Sequence, residues 1–278
     1  MIVYKWLEHN GYRGEHNRRL SSLKILFGFF DIRPNLFIEK IKNSVRAKKQ
    51  NIPLIGHLHT PKTGGTYVNH LMDNFPHVNF SHVVVRETRN DKWCPVGLVP
   101  IKPNKINGYY IFATVRNPLE FLISYYHHVL GNMGSDNIEH YDYEEAQKGF
   151  ENLVTIIINR EDKWPSKKFL FPNLFNQDGH IVVDWVNRNE TLDDDVSSLC
   201  SKFGLVHIPK AKKRTSNKNK SEQYYTQELL NKVSKTYWRE MDLFGYENFN
   251  IKIPKVNLYS FKTSNLRYDY LTDILIVD

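Results

Sequence analysis

Cysteine is scarce in this chain: only Cys94 and Cys200 occur in 278 residues. Two thiols supply neither a zinc-ligand spacing nor a disulfide framework, which excludes scaffolds held together by cysteine pairs and points to a reducing compartment. Long apolar runs are also lacking. The most apolar stretch near the amino terminus, ILFGFF at 25–30, stops after six residues at Asp31. A membrane span needs roughly 20 such residues, and a secretory core is usually longer. No transmembrane segment and no signal peptide are therefore expected, and the expected location is the cytoplasm. Internal repeats and long low-complexity tracts are absent as well.

What is present describes a folded globular protein. Hydrophobic residues make up 41% and aromatics 13%, enough for a sizeable core. The balance of 38 basic against 30 acidic residues leaves +8. A basic surface attracts anions. A nucleotide, a sulfated or phosphorylated substrate, nucleic acid and an anionic membrane all satisfy that condition.

Residues 1–50 read as a helical extension ending in a basic stretch, 51–248 as one domain, and 249–278 as an irregular or edge-strand tail packed on that domain or extending it. The domain pattern sharpens at IPLIGHLH, 52–59, an apolar run of strand type. The loop TPKTGG follows. Then Val68, Leu71, Met72 and Phe75 recur at helical spacing until Pro76. A second strand is expected at 78–85. A third, YYIFATV at 109–115, is apolar on both faces, as buried parallel strands are. It runs into a helix with Asn117 as N-cap, Pro118 in the first turn and Glu120 completing a capping box; Leu119, Leu122, Ile123 and Tyr126 form its buried face. Helix is expected around 144–160, a fourth strand at 180–186, a helix capped by Thr191 and a last long helix from Thr226. Alternating strands and helices specify an α/β protein: a P-loop-type three-layer sandwich with a mostly parallel central sheet. Ligands of such sheets sit at the carboxyl ends of the strands.

One stretch lies at such an end. In GHLHTPKTGGT, 56–66, Gly56 and the Lys62-Thr63 pair fit the nucleotide-binding pattern G-x-x-x-x-G-K-[ST], except that Pro61 replaces the last glycine and Gly64 and Gly65 follow the lysine. Backbone N–H groups at a helix start, the helix dipole and Lys62 suit an anion, and the hydroxyls of Thr63 and Thr66 add donors. Gly64 and Gly65 let the backbone approach that anion closely. An ATP reading meets a difficulty. Such sites hold Mg²⁺ with an aspartate at the end of a neighbouring strand, whereas YYIFATV ends in Arg116. An arginine repels Mg²⁺ and attracts phosphate.

PKTGGT after an apolar strand, followed by VRNPLEFLISYYHH, resembles the carbohydrate sulfotransferase family, especially its heparan-sulfate 2-O- and 6-O-sulfotransferase type. VDWVNRNETLDDDVSSLCSKFGL and YYTQELLNKVSKTYWREMDLFGYENF extend the likeness over roughly 52–248. The resemblance implies a donor, 3′-phosphoadenosine 5′-phosphosulfate (PAPS), used without a metal. It implies that Lys62, Thr63, Gly64, Gly65 and Thr66 surround the 5′-phosphate, that Arg116 and Ser124 hold the 3′-phosphate, and that Lys213 and Arg214, in the basic loop 210–220, close over it. The acceptor it implies is a hydroxyl on a sugar or glycan.

Sulfuryl transfer requires a base for the acceptor proton and a cation at the bridging oxygen. Lys62 suits the second role. His82 matches the position of a family histidine and is the first candidate for the base, with His77 and Glu87 as competitors. His57 and His59 read as structural. His127 and His128 read as helix surface, with an acceptor-side role as the alternative. Two other functions remain to be weighed: a P-loop kinase, and a non-catalytic polyanion- or nucleic-acid-binding protein. The first needs Mg²⁺. The second leaves PKTGGT and RNPLEFLIS without purpose, so nucleic acid is not the expected partner. Nothing in the sequence specifies an oligomeric state.

Overall fold

A computed structural model describes residues 54–65, 67–68, 77–81, 83–85, 99–131, 140–161, 163–204, 221–269, 272 and 274–277. The expected extension at 1–50 lies outside them. Four strands form the central sheet: β1 (Leu54–His59), β2 (His77–Ser81), β5 (Tyr109–Val115) and β6 (Trp185–Arg188), in the order β2-β1-β5-β6. All three pairings are parallel. β1 and β5 occupy the centre, consistent with their nearly continuous apolar character.

Two hydrophobic clusters cover the two faces, which makes the three layers. One face carries Ile55, Phe112 and Trp185, and packs on Val68 of the helix that begins at Gly65 and on Leu192, Val196 and Leu199 of α4 (Leu192–Lys202). The other carries Leu58, Ala113, Val115 and Val186. It packs on α1 (Pro118–Gly131), α3 (Phe150–Ile157), α5 (Gln227–Thr236) and α6 (Trp238–Phe244). The expected apolar stripe on α1 is wider than its spacing predicts. Every residue from Pro118 to Ile123 is buried, because the helix starts deep against the sheet.

Several boundaries differ from the sequence reading. The expected strand 78–85 is two: β2 belongs to the main sheet, while β3 (Val83–Val85) pairs with β4 (Val99–Ile101) in a separate two-stranded sheet. The stretch at 144–160 is divided between α2 (His140–Lys148) and α3 by Gly149, whose φ of 133° no other residue adopts readily. The fourth strand begins at Trp185 instead of His180. Asp184 precedes it, and its carboxylate accepts the Ile111 N–H at 2.7 Å in place of a ladder bond. The last helix ends at Thr236, and α6 follows Tyr237. Thr226 caps α5, accepting the Leu229 N–H at 3.2 Å. Thr191 caps nothing with its hydroxyl, which donates to Asp195.

The tail is better ordered than its weak periodicity indicated. It forms a 3₁₀ segment at Leu258–Thr263 and a hairpin of β7 (Leu266–Asp269) and β8 (Ile274–Val277). Phe261 and Tyr268 are buried in the large cluster, and the Phe261 N–H donates to the Asp184 carbonyl at 3.0 Å. Among the described residues no helix is long and apolar enough to cross a membrane.

One buried ionic cluster ties α1 to α2 and to the segment after α3. Asp142 is fully buried and accepts from the Tyr125 hydroxyl (2.7 Å) and Arg160 Nη1 (2.6 Å), with Lys163 Nζ at 3.1 Å. Burial alone would raise its pKa, but the Arg160 hydrogen bond and charge, the Tyr125 hydroxyl and Lys163 outweigh it and hold the carboxyl below its ordinary value. Removing one member strands buried charge. Asp142→Ala is therefore expected to cost about 3–5 kcal/mol in chemical unfolding. Because the folded pKa is depressed, this stabilisation is full above the unfolded value of about 3.9 and disappears as pH falls below it. The acid limb of the unfolding profile should flatten in the variant.

Candidate functional site

The carboxyl ends of β1, β5 and β6 lie side by side, and the residues after each form one rim. β1 runs into Thr60–Pro61–Lys62–Thr63–Gly64–Gly65. Thr60 is anchored by its hydroxyl to Asn173 Oδ1 at 2.8 Å, and Asn173 Nδ2 donates to the Leu58 carbonyl at 3.3 Å. Helical bonds begin at once: the Tyr67 and Val68 N–H groups donate to the Gly64 carbonyl at 2.8 and 3.0 Å. The strand–loop–helix unit that the sequence specified is present.

Its glycines serve a purpose the sequence reading missed. Gly64 has φ of 88°, and a side chain there would collide with the Asn189 amide; one at Gly65 would collide with the His59 ring. The close approach is to protein groups packed under the loop. Thr63 also differs from expectation. It is fully buried, and its hydroxyl donates inward to the Thr60 carbonyl at 2.8 Å.

Lys62 adopts φ of 66°, left-handed backbone that costs a non-glycine residue roughly 1–2 kcal/mol. Strain of this kind persists where surrounding structure enforces it, often at ligand clamps. The enforcing contact comes from β5: Arg116 Nη1 donates to the Lys62 carbonyl at 3.2 Å. Arg116 Nη2 pairs with Glu120 at 3.3 Å, and its Nε is buried with no acceptor among the described residues. Burial, and then the nearby Arg116 charge, push the Lys62 pKa below the ordinary lysine value. Two cations crowded at a helix start, with a guanidinium donor unmatched, fit a phosphate-bearing ligand.

Asn117 begins α1 as the sequence specified, its Oδ1 accepting the Leu119 N–H at 3.0 Å. The reciprocal half of the capping box is not formed. The Asn117 N–H donates instead to Glu190 Oε1 at 2.9 Å, because Glu120 is engaged by Arg116. Glu190 also accepts the Tyr246 hydroxyl at 2.9 Å. Burial raises its pKa against the opposing pull of these bonds and of Arg116. Asn189, its neighbour, donates from Nδ2 to the Thr63 carbonyl at 3.0 Å. Asn189 and Glu190 were missed by the sequence reading, although NRNET directly follows a strand of the same sheet and its place at the strand's end was a usable signal.

Ser124 is half-buried on α1, two turns past Arg116. Two tyrosines contact this same helix: the Tyr225 hydroxyl donates to the Leu119 carbonyl at 2.8 Å, and the Tyr224 hydroxyl meets His127 Nε2 at 2.6 Å. These contacts bracket Ser124. His127 is exposed apart from that bond, and His57 is fully buried, stacked on Phe112 at 4.6 Å. Thr66, His82, Glu87, Lys213 and Arg214 lie outside the described residues. His77 opens β2 opposite Ile55, at the amino end of the sheet, remote from the rim and unsuited to act there as base.

Residues 55–247 match the family model described as Sulfotransferase family. No curated protein sequence matches the chain. Among solved structures, a mouse sulfotransferase, SULT7A1, complexed with PAP has 12% sequence identity and a TM-score of 0.40, covering 73% of this chain and 90% of that one.

The left-handed turn yields a direct test. Gly64→Ala is expected to lose at least about 1 kcal/mol in unfolding experiments. Asn189→Ala should not rescue it, since removing the collision leaves the φ cost in place. Full rescue would mean that crowding alone selects glycine.

Proposed function

Because the chain belongs to the sulfotransferase family, we propose that its carboxyl rim binds PAPS and transfers the sulfuryl group to a hydroxyl of a sugar or glycan. The observation that carries this reading is the contact between Arg116 and the Lys62 carbonyl, which brings the two strand ends and their charges to one place. In this reading the backbone N–H groups of the 62–66 loop and Lys62 hold the 5′-phosphosulfate, and Arg116 with Ser124 holds the 3′-phosphate. Lys213 and Arg214 are assigned to the same phosphate on the family likeness alone.

The acceptor oxygen attacks sulfur as the bond from sulfur to the bridging phosphate oxygen breaks. The acceptor proton goes to a base, and adenosine 3′,5′-bisphosphate leaves. Lys62 offsets the charge developing on the bridging oxygen. Its lowered pKa gives the linkage sign: an anion binds the ammonium form, so donor affinity falls as pH rises through that pKa. His82 is the proposed base. The chemistry proposed for these residues needs no metal, and a cytoplasmic setting agrees with the sparse cysteine.

Adenosine 3′,5′-bisphosphate should raise the melting temperature, since ligand binding to the native state adds to stability. 5′-AMP should do so much less; equal shifts would remove the 3′-phosphate role from Arg116 and Ser124. His82→Ala should lower turnover roughly 100- to 10,000-fold while leaving donor affinity unchanged. An undiminished rate would transfer the role of base to another group, with Glu87 next in line.

A further inference from the structure

Away from the donor rim, two adjoining cavities open beside the carboxyl-terminal segment. One, of about 300 Å³, is lined by His180, Ser264, Asn265 and Arg267 among others. The other, of about 250 Å³, is lined in part by Asn107, Tyr109 and Asn176. Ile181 and Lys262 line both, so the two share a wall and are treated as two parts of one groove. Tyr109 begins β5 and Arg116 follows its last residue, which separates groove and donor rim by about 20 Å along the strand.

We propose that this groove binds an acidic oligosaccharide, holding a part of the acceptor remote from the reacting hydroxyl. The charge arrangement carries the inference. His180 and Arg267 oppose each other in an antiparallel bridge, so their side chains leave the same face about 5 Å apart at Cβ. Two basic side chains so placed can share one anion between them. Lys262 adds a third basic side chain on the shared wall. Asp184 is its partner at 3.4 Å, and the other Asp184 oxygen is occupied by the Ile111 N–H. Among the described residues Arg267 has no carboxylate partner; it gives Nε to the Asp178 carbonyl at 3.4 Å. Exposed Lys102 and Lys105 flank the second cavity at the 3₁₀ turn Pro103–Lys105.

The walls are preorganised, which lowers the entropy lost on binding. Asn176 Oδ1 accepts the N–H groups of Asp178 and His180 at 3.0 and 2.9 Å. Gly179, with φ of 80°, lies flush against the Tyr268 carbonyl, where any side chain would collide. The chemistry of the lining selects the ligand class. Three asparagine amides, a serine hydroxyl and cations match the hydroxyls and carboxylates or sulfates of an acidic sugar. A single-stranded nucleic acid needs aromatic faces for its bases, and the aromatic in this groove, Tyr109, is half-buried and set edge-on against Phe80.

The role as a remote acceptor hold rests on the sulfotransferase reading; binding in the groove does not. The test measures oligogalacturonate and short dextran sulfate binding by calorimetry, with uncharged dextran as control. Wild-type protein should bind at least one acidic probe and not dextran. Lys262→Gln/Arg267→Gln should weaken that binding roughly tenfold, as two exposed charge contacts are lost, while the thermal shift from adenosine 3′,5′-bisphosphate stays unchanged. Arg267→Gln alone spares the Lys262–Asp184 pair and should show part of the loss. No binding of either acidic probe, unchanged affinity in the variants, or equal competition by a single-stranded oligonucleotide would overturn the proposal. A missing bisphosphate shift in wild-type protein would instead refute the donor-site reading, and the calorimetry would still decide the groove.

Discussion

The Lys62 carbonyl accepts a hydrogen bond from Arg116, and the geometry of the rim depends on it. The carbonyl belongs to a residue in left-handed backbone, and the arginine belongs to the end of the neighbouring strand. Each holds the other in an otherwise costly position: a strained φ for one, and a charged group drawn against a lysine for the other. Glu120 offsets part of the arginine's charge at 3.3 Å, while the buried arginine Nε has no acceptor among the described residues.

Support for that pair comes from residues packed around the loop. Asn189 holds the Thr63 carbonyl and occupies the space at Gly64. His59 fills the space at Gly65. Glu190 takes the Asn117 N–H and the Tyr246 hydroxyl, joining β6, the start of α1 and the hairpin after α6. The Asn117 amide donates to the Asn248 carbonyl at 2.6 Å, which adds a second tie to the same hairpin. The loop is thus backed on several sides by buried polar contacts, each with a specific partner, and such contacts set position more than they add stability.

Parts of the molecule away from the rim are fixed by other contacts. The fully buried Asp142 cluster fixes α2 and the segment after α3. The groove at His180, Lys262 and Arg267 lies about 20 Å from the rim along β5 and is lined in part by the tail. Rim and groove therefore draw on separate parts of the chain, joined through β5. Under the proposed function, a long acceptor is held far from where it reacts.

The sequence by itself determined the strands β1 and β5, the helix cap at Asn117 and the phosphate-type loop between them. These are local patterns: an apolar run, a capping residue, glycines beside a lysine. It also carried the family likeness, because those patterns are contiguous. Only the tertiary structure decided why Gly64 and Gly65 are glycines, since their neighbours Asn189 and His59 reach them across the fold. The same holds for Thr63, whose hydroxyl was read as facing a ligand and turns inward, and for the split of the 78–85 run into two sheets. His77 was a competitor for the base until register placed it at the amino end of its strand. Periodicity reports which face a residue occupies, but not which distant side chain fills the space opposite it; that depends on contacts between residues more than a hundred positions apart, such as Asn189 with Thr63.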